Sequence, residues 1–107
     1  NREDKIFIKH YPNSFRDTGL DEYCKNKGID TLVIVGMMSH MCIDTTVRAG
    51  YDLGYKIVVL KDCCATKDLK MGERVVKAEE VQIAYMAAIE GTFGEVKTVE
   101  EYIRGEI

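Results

Sequence analysis

Residues 31–54, TLVIVGMMSHMCIDTTVRAGYDLG, decide how the rest of the chain is read. They open on an unbroken apolar run at 32–35. No polar residue alternates there, which predicts a strand covered on both faces, as in a parallel sheet. Gly36 breaks the run. Ser39 is read as the cap of a helix that begins near Cys42, and Gly54 as its left-handed stop. Ile43, Val47 and Gly50 share one side of that helix, with Thr46, Ala49 and Leu53 beside them. Cys42 therefore sits where a strand hands over to a helix N-terminus. Converging amides and the positive end of the helix dipole favour a thiolate at such a place. Free cysteines are also common packing residues, so position alone does not make a nucleophile.

Working outward, residues 5–9 read as a short strand, followed by a loop in which Pro12 forces Tyr11 extended. Thr18 and Asp21 have capping-box spacing for a helix that runs to about Lys27, with Leu20 and Cys24 facing inward and Gly28 closing it. Beyond the central helix, 56–60 is a second apolar strand. Residues 61–74 carry charges and Gly72 without a period, and are expected to be loop. A helix is expected over 75–90, with Val81, Ala84, Tyr85, Ala88 and Ile89 as its apolar stripe. A weak strand at 93–97 follows, then a capping box, Thr98 to Glu101, for a short last helix. The alternation predicts an α/β fold: a three-layer α/β/α, Rossmann-like, mostly parallel sheet. Ligands bind beyond the carboxyl ends of such strands, where Lys9, Cys42 and Asp62 all fall.

The chain has 107 residues, enough for one core and short for a doubly wound enzyme. A net charge of −3 gives no basic field for nucleic acid or an anionic membrane. No apolar run approaches the roughly 18 residues of a membrane span. The charged N-terminus is not a signal peptide, and a chain that lacks Met and runs at once into a strand reads as cut or processed. The four cysteines fit no zinc spacing, so no metal is expected on these residues, with a metal in a missing part left open; no cofactor is expected, and a reduced, cytoplasmic setting is.

Residues 9–15, KHYPNSF, together with 36–43, GMMSHMCI, resemble the isochorismatase-like cysteine hydrolases, as does the segment 62–66, DCCAT. The resemblance covers essentially the whole chain. It implies a Cys-Asp-Lys triad in which Cys42 matches the nucleophile and Lys9 the lysine. It also implies an oxyanion hole from the backbone amides of Met38 and Cys42, and a cis non-proline peptide just before Met38. The chemistry would be hydrolysis of a small amide-type substrate through a thioester, without a cofactor. Phe15, His40 and Met41 are expected around the substrate pocket. The family's aspartate follows its first strand, in an apolar segment ending Asp-x-Gln, and no such segment occurs here. Asp4 precedes its strand and Asp62 matches another position. The family's sheet order is 3-2-1-4-5-6, and the four strands read here would match the third to the sixth. Residues 1–107 are thus expected to be the C-terminal part of one hydrolase domain. The central strands and the aspartate would come from a complementing N-terminal segment, a second chain or swapping, and a homo-oligomer or such a complementing segment is the partner expected.

Two rival readings fit parts of the same sequence. Cys42 and Arg48 have the Cys-x5-Arg spacing of cysteine phosphatases, but β-branched residues stand where a phosphate loop needs glycines. The other rival is a catalytically silent binding or assembly module, or an inactive fragment, on the same fold.

Overall fold

The computed structural model describes residues 4–105. The strands among them are β1 (Thr31–Met37), β2 (Lys56–Ala65), β3 (Leu69–Met71), β4 (Arg74–Val76) and β5 (Glu95–Lys97). The helices are α1 (Leu20–Asn26), α2 (Asp44–Asp52), α3 (Ala78–Ile89) and α4 (Val99–Arg104), and a π-helical turn, Ser39–Ile43, leads into α2. β1, β2 and β5 form a parallel sheet in that order, and β3 and β4 a separate antiparallel hairpin.

The chain is therefore an α/β fold around a parallel sheet. Parallel neighbours need crossovers, which the π-turn with α2 supplies between β1 and β2, and α3 between β2 and β5. Ile57 and Val59 of β2 are buried against Cys24 of α1, Ile43, Val47 of α2, and Met86 and Ile89 of α3. Val58 and Leu60 point to the other face of β2 and are buried too, so the central strand has both faces covered. Gly94 lets the loop before β5 lie against this strand: a Cβ there would stand 2.7 Å from the Ile57 carbonyl.

β1 departs from its expected environment. Leu32 and Ile34 pack against the core. Val33, Val35 and Met37 on the opposite face are 39%, 51% and 66% exposed. The run is apolar on both sides, as a fully buried strand requires, yet only one side is covered by the described residues. β1 is also an edge of the sheet.

Other expectations are corrected. Residues 5–9 form no strand: they are paired in neither sheet of the described residues, and Ile6 and Ile8 are 82% and 76% exposed. Phe7 meets Tyr23 edge-on at 5.4 Å. The capping box at Thr18 is absent, because Asp21 is engaged by the Tyr55 hydroxyl at 2.6 Å and Gly19 occupies the N-cap. The expected loop at 61–74 instead prolongs β2 to Ala65 and then folds into the β3–β4 hairpin. That hairpin takes residues 75 and 76, so α3 starts at Ala78, where Asp68 accepts a hydrogen bond from the Ala78 amide at 2.7 Å. On α3, Met86 joins Val81 and Ile89 in the core, while Ala84 and Ala88 are exposed. The box at Thr98 and Glu101 is present as read.

Candidate active site

The site begins at the end of β1. The register with β2 breaks between Ile34 and Gly36. Gly36 adopts φ +135°, a conformation that side chains rarely take. The Met37–Met38 peptide is cis. The chain then enters the π-turn rather than the capped α-helix read from the sequence. The Met38 carbonyl accepts from Met41 N at 3.0 Å and from Ile43 N at 3.3 Å, passing over the Cys42 amide between them. π-turns are rare and recur at functional positions.

Ser39 is not the cap. It is fully buried, and its hydroxyl lies 2.5 Å from Gln82 Oε1 on α3, while Gln82 Nε2 donates to the Lys61 carbonyl at 3.0 Å. A buried hydroxyl must find a partner, and this one ties the turn to α3 and β2. Gln82 is 43 residues away in sequence, so no local pattern could announce it.

Cys42 and Lys9, 33 residues apart, are brought together: Lys9 Nζ lies 3.1 Å from Cys42 Sγ. The same ammonium donates to Tyr11 O at 2.9 Å and Pro12 O at 3.3 Å. Its three donors are thus occupied, and no carboxylate meets Lys9 among the described residues. A cavity of about 140 Å³ adjoins the thiol, lined by Lys9, Ser14, Gly36, Met37 and Thr46 among others.

The three expected pocket residues lie outside that cavity lining. Phe15 stacks on Tyr55 at 5.7 Å and reaches towards Gly50 of α2. His40 Nδ1 is 2.9 Å from Thr66 Oγ1, and its ring meets Tyr85 edge-on. Met41 is exposed. Asp62 does not join the pair. It lies within the extended β2 and accepts from Val99 N at 3.0 Å, at the start of α4. Arg48 pairs with Asp44 at 3.0 Å and stacks over Phe93, so the phosphatase spacing has no structural counterpart. All four cysteines are free. Burial pushes the Cys64 thiol up, consistent with packing at that position. Among the described residues no group of three or more His, Cys, Asp or Glu side chains could hold a metal ion. No helix among them is long and apolar enough to cross a membrane.

The parallel sheet thus carries Cys42 into the π-turn beyond β1, beside Lys9 from a preceding segment. The chain matches the Isochorismatase domain over residues 1–101 and belongs to the isochorismatase family. It is 43% identical over 102 residues to the uncharacterized isochorismatase family protein YddQ of Bacillus subtilis (strain 168), covering 95% of this chain and 57% of that protein. A cysteine hydrolase of known structure from Pseudomonas syringae pv. phaseolicola 1448A superposes with a TM-score of 0.92 at 33% identity, over 97% of this chain and 49% of the other. The ureidoacrylate amidohydrolase RutB of Enterobacter sp. (strain 638) is 32% identical over 99 residues, 92% of this chain and 39% of that protein. The chain thus spans about half the length of the relatives it matches.

Proposed function

We propose that this protein is a cysteine hydrolase that cleaves a small amide-type C–N bond through a thioester on Cys42. The observation that carries this reading is the 3.1 Å approach of Lys9 Nζ to Cys42 Sγ. An ammonium at that distance steadies negative charge on sulfur. A relative named as an amidohydrolase and another named as a cysteine hydrolase support the same chemistry.

The reaction needs a carboxylate that takes the Cys42 proton. The sulfur adds to the carbonyl carbon, the C–N bond breaks, and the amine leaves with that proton. Water then adds to the thioester, releasing the acid and the thiol. The amides of Met38 and Cys42 are assigned to the carbonyl oxygen as negative charge develops, a contribution of ~3 kcal/mol per donor in comparable sites. We place the carboxylate on a segment outside these 107 residues, in a domain of which they form the C-terminal part, or on a second copy of the chain. His40 and Met41, beside the nucleophile turn, and Phe15, on the loop that carries the Lys9 contacts, are assigned to the substrate surroundings once that segment is in place. Four free thiols support a reducing, cytoplasmic setting.

The absence of a carboxylate at Lys9 among the described residues favours one alternative, a silent binding or assembly module. Release of ammonia or amine from small amides and ureides by the intact gene product separates the two. The hydrolase reading expects turnover that Cys42→Ser abolishes and Lys9→Met lowers by at least about a hundredfold. Turnover indifferent to Cys42→Ser, or none on any amide, contradicts it.

A further inference from the structure

We propose that Thr46 is a positioning residue that fixes Lys9 against Cys42. The proposal rests on the hydrolase reading above and adds to it a residue that the Cys-Asp-Lys triad does not contain.

Thr46 follows Cys42 by four residues, across the junction of the π-turn with α2, and both line the same cavity. It is 6% exposed and lines the cavity beside the thiol. Its hydroxyl oxygen accepts from Ser14 N at 3.0 Å, and lies 3.3 Å from Pro12 O and 3.0 Å from Ser14 Oγ. One hydroxyl carries one proton. With that proton on Pro12 O, the Ser14 hydroxyl can donate back to Thr46, and every group in the cluster is served.

Pro12 O is the link. The same carbonyl accepts from Lys9 Nζ at 3.3 Å, and Lys9 spends its remaining donors on Tyr11 O and Cys42 Sγ. The contacts therefore close a circuit: from Cys42 along the chain to Thr46, across to Pro12 O, to Lys9 Nζ, and back to Cys42 Sγ. The circuit matters because it ties the ammonium to the loop at 11–14, and that loop to the helix that follows Cys42. Phe15 anchors the far end of that loop on Tyr55, but the bonds to Thr46 are the ones that act at the carbonyl touching Lys9. A buried hydroxyl serving only its own hydrogen-bonding needs would have the same partners, so the test must read Lys9 rather than stability.

The measurement is the rate of Cys42 alkylation by iodoacetamide, followed by peptide mass spectrometry between pH 6 and pH 10, on the intact gene product and on Thr46→Val, Thr46→Ser, Lys9→Met and the double variant Lys9→Met/Thr46→Val. Thr46→Val is expected to slow labelling at pH 7 by at least about threefold, in the direction of Lys9→Met. Thr46→Ser keeps the hydroxyl and labels as the parent does. In the Lys9→Met background Thr46→Val has no further effect, because the two act through one contact. If Thr46→Val does not fold, Thr46→Ala serves in its place, removing the hydroxyl without adding bulk. A lowered melting temperature with an unchanged labelling profile overturns the proposal. So does an effect of Thr46→Val that persists in full without Lys9. If Lys9→Met itself leaves the profile unchanged, the hydrolase reading fails, and the assignment of Thr46 fails with it.

Discussion

Strand ends alone gathered Lys9, Cys42 and Asp62, and it took the resemblance to single out Lys9 and Cys42, the two that the structure brings within 3.1 Å. The contacts that hold them were not legible. Ser39 has the residue type of a cap, and it took the burial supplied by α3 to turn its hydroxyl towards Gln82. Thr46 did carry a signal, a polar residue on the inward face of an amphipathic helix. At the same scale, Tyr55 gives a prediction about pH. It is 3% exposed and donates to Asp21 Oδ1 at 2.6 Å. Burial, and then the Asp21 carboxylate, hold its phenol well above the ordinary tyrosine range. The folded state thus keeps a proton that the unfolded state gives up. The stabilisation is complete below about pH 10 and is lost as pH rises beyond it. Tyr55→Phe should lower stability by about 1–2 kcal/mol at pH 7 through the lost hydrogen bond. It should also flatten the decline above about pH 10, and urea titrations at pH 7, 10 and 11 check both.

At the scale of elements, the central strand and helices and the capped, six-residue α4 were readable, and the β3–β4 hairpin was not. Ile43, Val47 and Gly50 mark the inner side of the central helix as the sequence predicts, and all three are buried. The β3–β4 hairpin was missed because strands of three residues are too short to show alternation. The N-terminus of α3 was misplaced because its partner, Asp68, lies ten residues upstream, outside any capping pattern. The hydrogen bond from the Ala78 amide, ahead of the charge on Lys77, holds the Asp68 carboxyl below its usual range. Packing leaves no room for a side chain where the loop before β5 meets β2. Gly94→Ala would place a methyl 2.7 Å from the Ile57 carbonyl and 2.9 Å from its Cβ, and neither atom can swing away. A loss of about 1–3 kcal/mol is expected, read as a fall in the urea midpoint with an unchanged slope. A variant as stable as the parent would show that β5 does not lie against β2 as described.

At the scale of the molecule, alternation of strands and helices was enough to give a parallel sheet, and the unbroken apolar run of 32–35 gave a strand meant for two covered faces. One of those faces is open in this chain: Val33, Val35 and Met37 lie along an edge strand, with Ile6 and Ile8 exposed. Open apolar edges recruit partners. The 107 residues expressed alone are therefore expected to self-associate or aggregate, with Val35→Lys shifting the population towards monomer. Light scattering coupled to size exclusion checks this, and a monodisperse 12.1 kDa species from the parent chain would contradict it.

The central claim is that Cys42 carries the acyl group. The most direct measurement is acid quenching of the intact gene product during turnover of a small amide, followed by peptide mass spectrometry. An acyl adduct is expected on the Cys42 peptide, labile to hydroxylamine, absent from Cys42→Ser, and absent from Cys24, Cys63 and Cys64. Steady amide turnover with an unmodified Cys42, or an adduct confined to another residue, would contradict it.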